Sequence, residues 1–142
     1  LRVGSAYETI DAMSRLQRAS GLAPCPQSPN CVCSDATDTQ HQVAALTLAV
    51  PPEQAWRATA QLLESLPRTT VVESSPGYLR AECRTRLLRF VDDLELQLRP
   101  EAQQIAVRSA SRVGHSDLGV NRRRVEGLRR RLAAQGIVAP GD

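Results

Sequence analysis

The chain has 142 residues, 42% of them apolar, and a formal net charge of +3. That is one domain's length with enough apolar material for a core, which excludes a disordered or fibrous chain, and no apolar run approaches the ~20 residues of a membrane span. All 18 cations are arginine, and the only aromatics are Tyr7, Trp56, Tyr78 and Phe90, so the core has to be built from Leu, Val, Ala and Ile.

Residues 5–20 read as a helix. Ser5 and Glu8 have capping-box spacing, and Ala6, Ile10, Met13 and Leu16 recur on one face. Residues 1–21 are therefore set apart as a candidate docking element. Residues 22–40 carry Pro, Cys, Ser, Asp and Thr without periodicity and read as an ordered loop. Within it Cys25 and Cys31 bracket PQSPN, where a local disulfide would fix the chain. With Cys33 and Cys83 the cysteine count is four, an even number that fits an oxidising compartment. A zinc site from Cys25, Cys31, Cys33 and His41 departs from the usual paired-ligand spacing, so no metal or cofactor is expected.

A strand over 43–50 leads to a helix entered through Pro51 and Pro52. Ala55, Trp56, Thr59, Leu62, Leu63 and Leu66 form its inward face, and Pro67 ends it. A strand over 69–74, a Pro76-Gly77 turn and a strand over 78–85 make a hairpin, and strands over 88–98 and 104–111 follow. The last helix spans 121–135, with Val125, Leu128 and Leu132 inward and Gly136 closing it. Because hairpins dominate, the expected fold is α+β, a two-layer sandwich with a mostly antiparallel sheet of about five strands and helices on one face. Residues 22–136 form this domain and 137–142 a tail.

Alternation along the strands assigns faces. In the 88–98 strand Leu88, Phe90, Asp92, Leu94, Leu96 and Leu98 share one side, which puts the Asp92 carboxylate in an apolar row. Such a group needs a partner, and arginine is the natural one. Arg80, Glu82, Arg84, Arg89, Asp93, Glu95, Arg108 and Arg112 fall on the other side, either as cross-strand ion pairs or as a charged binding surface. Arg108 or Arg112 is expected to pair with Asp92 or Asp93.

The span from Ile105 to Glu126, IAVRSASRVGHSDLGVNRRRVE, concentrates the chemistry. From Arg99 to Arg131 nine arginines face only Glu101, Asp117 and Glu126, a local balance of +6. A strand end with Arg108 and Arg112, a loop with His115 and Asp117, and a helix start with Asn121 and Arg122 form a candidate anion or partner site. Stacking aromatics are missing from this region, so nucleic acid is not the expected partner. Adjacent His115, Ser116 and Asp117 do not make a catalytic triad, since the base must reach its nucleophile while an acid holds its far side. Asp117 is more simply a cap.

CPQSPNCV (25–32), LPRTTVVE (66–73), LLRFVDDLE (87–95) and VRSASRVGHSDLGVNRRRVE (107–126) together resemble the bacterial and plastid family called domain of unknown function 1499. The resemblance implies an exported or membrane-anchored protein with no established activity, and it leaves out the first helix. The family pattern includes the cysteines matching Cys25 and Cys31. Cys33 and Cys83 look additional, which suggests the pairing Cys25–Cys31 and Cys33–Cys83, with the other two connectivities open. The functional expectation is a non-enzymatic extracytoplasmic (periplasmic) binding or assembly module for a cell-envelope protein or a small anion, with a tether or signal segment upstream of Leu1. The alternative is an enzyme acting on a cell-envelope substrate with His115 as general base.

Overall fold

The structure, a computed structural model, describes residues 21–141; the candidate docking helix lies outside them. Strands β1 (Cys31–Cys33) and β2 (Leu46–Thr47) precede helix α1 (Pro52–Ser65). Strands β3 (Thr69–Ser75), β4 (Tyr78–Arg84), β5 (Val91–Arg99) and β6 (Gln104–Ser111) form a meander, and helix α2 (Val120–Ala134) follows. The sheet has six strands, all pairs antiparallel, in the order β1-β6-β5-β4-β3, with β2 sharing the β6 edge with β1. Both helices pack on one face. Ala55, Leu62 and Leu63 of α1 and Val125, Leu128 and Leu132 of α2 close over Leu79, Ala81, Leu94, Leu96, Ile105 and Val107. The fold is thus the α+β sandwich expected from the hairpins.

Local departures have physical causes. The strand expected over 43–50 is reduced to two residues because β1 already occupies the β6 edge opposite Arg108 to Ala110. The following residues pair instead with the chain's end: Ala49 N–H donates to Ile137 O and Ala139 N–H to Thr47 O. Ile137 and Val138 are buried in the core, so the segment assigned as a tail completes the domain. The strand expected from residue 88 begins at Val91. Arg89 has a φ of 56°, outside extended geometry, and Thr85 closes a loop through its backbone and hydroxyl on Phe90. Leu88 and Phe90, expected on the inner face, are therefore exposed, whereas Asp92 is 1% exposed as the alternation required.

The cysteines correct one pairing. Cys25 and Cys31 form a disulfide, while Cys33 and Cys83 are free and buried. Cys33 on β1 is separated from Cys83 on β4 by β6 and β5, three strand spacings or about 14 Å, whereas a disulfide tolerates a Cα separation of ~7 Å at most. Cys83 joins the helix-side core, and Cys33 stands opposite Arg108 on the other face. The Cys33–Cys83 bridge cannot form in this sheet.

Candidate functional site

The outer face of the sheet is a lattice of ion pairs. Arg112 donates to Asp93 at 2.8 and 2.9 Å and to Glu82 at 2.7 Å. Arg80 reaches Asp93 at 3.1 Å, and Arg108 pairs with Glu95 at 3.3 Å. The Tyr78 hydroxyl donates to Glu95 at 2.6 Å. Hydrogen bonds from Arg112 hold the Asp93 carboxyl below its ordinary range against the opposing pull of desolvation, and Asp93 and Glu82 in turn raise Arg112. Arg108 and Arg112, assigned to a ligand site, are thus engaged by carboxylates. The expected Arg112–Asp93 pair is present.

Asp117 and Asn121 build a buried polar hub at the start of α2. Gly119, with a φ of 81°, leads into the helix without a capping side chain of its own. Asp117 supplies the cap by accepting from Gly119 N–H at 2.8 Å and Asn121 N–H at 3.1 Å. Burial pushes its carboxyl up, but the amide donors of Asn121 and Gly119 outweigh that and leave it low. Asn121 is fully buried. Its Oδ1 accepts from Ser109 at 2.7 Å and Arg124 at 2.8 Å, and its Nδ2 faces Asp117, Ser111 and Asn30 O within 3.2 Å. Asn30 also donates to Gly114 O at 2.6 Å, so the hub ties the disulfide loop to the β6–α2 loop. The motif of 107–126 thus supplies most of the side chains in a buried polar junction.

The partner of Asp92 is Arg124, not Arg108 or Arg112: Arg124 Nη2 lies 2.8 Å from Asp92 Oδ2. That oxygen accepts no well-aligned hydrogen bond, so the contact is chiefly electrostatic. Arg122 donates to Gln42 O at 2.7 Å and Gln40 O at 3.1 Å. Two turns on, Arg129 does the same for Ala45 O at 2.9 Å and Ala44 O at 2.6 Å. Both act as clamps on the irregular segment after β1, where a guanidinium fork satisfies two carbonyls at once. His115 is exposed and makes no hydrogen bond or ion pair with another described residue, so no orienting acid supports it as a base. Of the four residues weighed as zinc ligands, Cys25 and Cys31 are joined in the disulfide, and the His41 ring is held by Asp38 at 2.6 Å and Ser28 O at 2.8 Å.

What the structure brings together is a different set. A pocket of about 370 Å³ opens between the end of α1, the sheet and α2. Leu66, Leu94, Val120 and Leu128 give it apolar walls, Cys83 and Thr69 lie at its sheet side, and Arg68, Arg123, Arg124 and Arg131 line it. Val120, Arg123, Arg124, Gly127, Leu128 and Arg131 follow helical spacing, one continuous face of α2. That spacing was the sequence signal for the pocket, and it is hidden by reading Arg122 to Arg124 as a block. Among the described residues neither the Arg68 nor the Arg131 guanidinium has a hydrogen-bond or ion-pair partner. Gly127 sits mid-helix, where a glycine costs about 1 kcal/mol relative to alanine. A Cβ there would meet only the Arg130 guanidinium at 3.7 Å, so packing does not demand the glycine. Burial raises the Cys83 thiol, leaving it a neutral thiol in the pocket wall.

No curated protein and no solved structure matches the chain. A family model does match, over residues 21–132, the span that holds the disulfide, the whole sheet, the hub and all but the last two residues of α2. The chain therefore belongs to the family described as Protein of unknown function (DUF1499).

Proposed function

We propose that this domain is a non-enzymatic, extracytoplasmic (periplasmic) binding module whose ligand is a small amphipathic anion, held in the pocket between α1 and α2. The observation that carries this reading is the combination of apolar walls with two unpartnered guanidiniums, Arg68 and Arg131, in one cavity of ligand size. A free guanidinium lining the pocket can hold a carboxylate or phosphate in a bidentate fork, and the Leu and Val walls take a short hydrocarbon tail. Gly127 supports the reading, because its helix tolerates a stability cost where a larger side chain would fill the pocket. The Cys25–Cys31 disulfide is compatible with an oxidising compartment, and no described helix is long and apolar enough to cross a membrane.

Octyl phosphate, with octanol as the uncharged control, tests this by calorimetry. The phosphate binds, the alcohol binds at least about tenfold more weakly, and salt weakens the phosphate. Gly127→Leu and Arg131→Gln each reduce binding while the far-ultraviolet circular dichroism is unchanged. Equal binding by Gly127→Leu and wild type, or no binding of octyl phosphate to the wild type, would overturn the pocket reading.

A further inference from the structure

Six large apolar side chains are exposed among the described residues, and five of them, Leu87, Leu88, Phe90, Val113 and Leu118, belong to two loops at one end of the sheet. The register puts the loops side by side. Arg84 pairs with Val91 at the close of β4 and start of β5, Asp92 pairs with Ser111 at the end of β6, and Arg112 N–H donates to Val91 O. In the β4–β5 loop, Thr85 clamps Phe90 through backbone and hydroxyl, leaving Leu87 and Leu88 at the apex, 89% and 70% exposed. Such exposure describes a protruding tip rather than a groove. Leu118, 84% exposed, is held at a φ of 54° that leucine disfavours, with Ser116 Oγ accepting its N–H. Apolar patches of this kind mark interaction sites in soluble domains.

The charges around the tip select the occupant. Arg84, Arg86 and Arg89 lie on either side of Leu87 and Leu88, no acid occurs between Arg84 and Val91, and none of the three guanidiniums has a partner among the described residues. The carboxylates of the neighbouring face are already taken, Glu82 and Asp93 by Arg112 and Asp117 by backbone amides. We propose that this tip docks on an anionic lipid surface, with Leu87, Leu88 and Phe90 entering the acyl boundary while Arg84, Arg86 and Arg89 meet the phosphates. A protein partner would need an acidic rim around an apolar socket; a lipid surface offers diffuse negative charge over an apolar layer, which suits a convex, arginine-studded tip. The pocket opens near the same end, since Thr69, Cys83 and Val120 all lie beside it, but the docking rests on the loops alone.

The test is co-sedimentation of the full chain with vesicles of phosphatidylcholine, alone or mixed with phosphatidylglycerol. The wild type sediments with the mixed vesicles, about tenfold less with phosphatidylcholine alone, and less at high salt. Leu87→Ser/Leu88→Ser and Arg86→Gln/Arg89→Gln each reduce binding about tenfold without lowering the melting temperature, because all four side chains leave the core untouched. Gly127→Leu sediments as the wild type does, which separates this surface from the pocket. No binding to mixed vesicles, or equal binding by Leu87→Ser/Leu88→Ser, overturns the proposal. A wild-type dimer in light scattering that Leu87→Ser/Leu88→Ser converts to monomer, without vesicle binding, assigns the tip to a second copy instead and equally overturns it.

Discussion

A carboxylate buried as deeply as Asp92 is sustained only by a cation that shares its burial, and Arg124 is that cation. The Arg112–Asp93–Glu82 cluster has equally short contacts but lies at the surface, where water screens it. Contact length alone would rank these clusters together; burial separates them. Arg124→Ala therefore lowers unfolding free energy in urea by about 3 kcal/mol, because it strands Asp92 and removes a donor from Asn121, and Asp92→Leu/Arg124→Met recovers most of that loss. Arg112→Ala has little effect in the same titration. An Arg112→Ala loss as large as that of Arg124→Ala would mean that the outer lattice, not the buried pair, holds the sheet. The need for a partner at Asp92 was legible from its place in an apolar row. The choice of Arg124 was not, because it depends on how α2 lies across the sheet rather than on strand alternation.

At the scale of elements, α2 divides its arginines by helical angle. Arg122 and Arg129 face the segment after β1, Arg124 and Arg131 face the pocket, and Glu126 steadies Arg129 at 3.0 Å. At Gly127, in the middle of this helix, sequence and stability disagree. Gly127→Ala accordingly raises the melting temperature, by a stabilisation of about 1 kcal/mol, since the φ of that residue is helical and the added methyl meets ordinary contact. A lower melting temperature would show that the glycine serves packing instead. The elements themselves were readable from periodicity and turn residues: α1, both hairpins and α2 fall where Pro67, Pro76-Gly77, Pro100 and Gly136 mark their ends. The start of β5 was not, since Leu88, Arg89 and Phe90 continue the strand's alternation and only the left-handed Arg89 ends the pairing. Edge strand β3 carries a register shift between Val71 and Glu73, with Val72 turned 42% to solvent, which interrupts the row of free backbone groups that another chain could extend.

Taken as a whole, the molecule is a sheet whose irregular flank is fastened by polar contacts as well as by Val43 and Leu46 in the core. Arg99 grips Asp35 through two bonds of 2.7 Å, and His41 joins Ser28 O to Asp38. Both partners of His41 accept hydrogen bonds, so the doubly protonated ring alone satisfies them. The bond to Ser28 O, aided by Asp38 and opposed by desolvation, raises the His41 pKa above 6.5. A raised folded pKa gives stability that is complete below the unfolded value and disappears as pH climbs through the folded one. The melting temperature therefore falls as pH rises above 6.5, and His41→Gln flattens that part of the profile; an unchanged slope in His41→Gln would remove this clasp from the account. The location of the flank's bridge was legible in CPQSPNC, but the separation of the two remaining thiols depended on strand order, which no local pattern encodes. That separation sets a problem of timing during maturation. Cys25 and Cys31 are six residues apart and meet through local motion, whereas any bridge to Cys83 must close a long loop. Once the sheet has formed, Cys33 and Cys83 are buried and out of each other's reach. Before it forms, all four sulfurs compete. In an oxidising medium maturation is thus a race between collapse of the sheet and oxidation of the chain, and when oxidation comes first the native pairing returns only through thiol–disulfide exchange that reopens the wrong bridge.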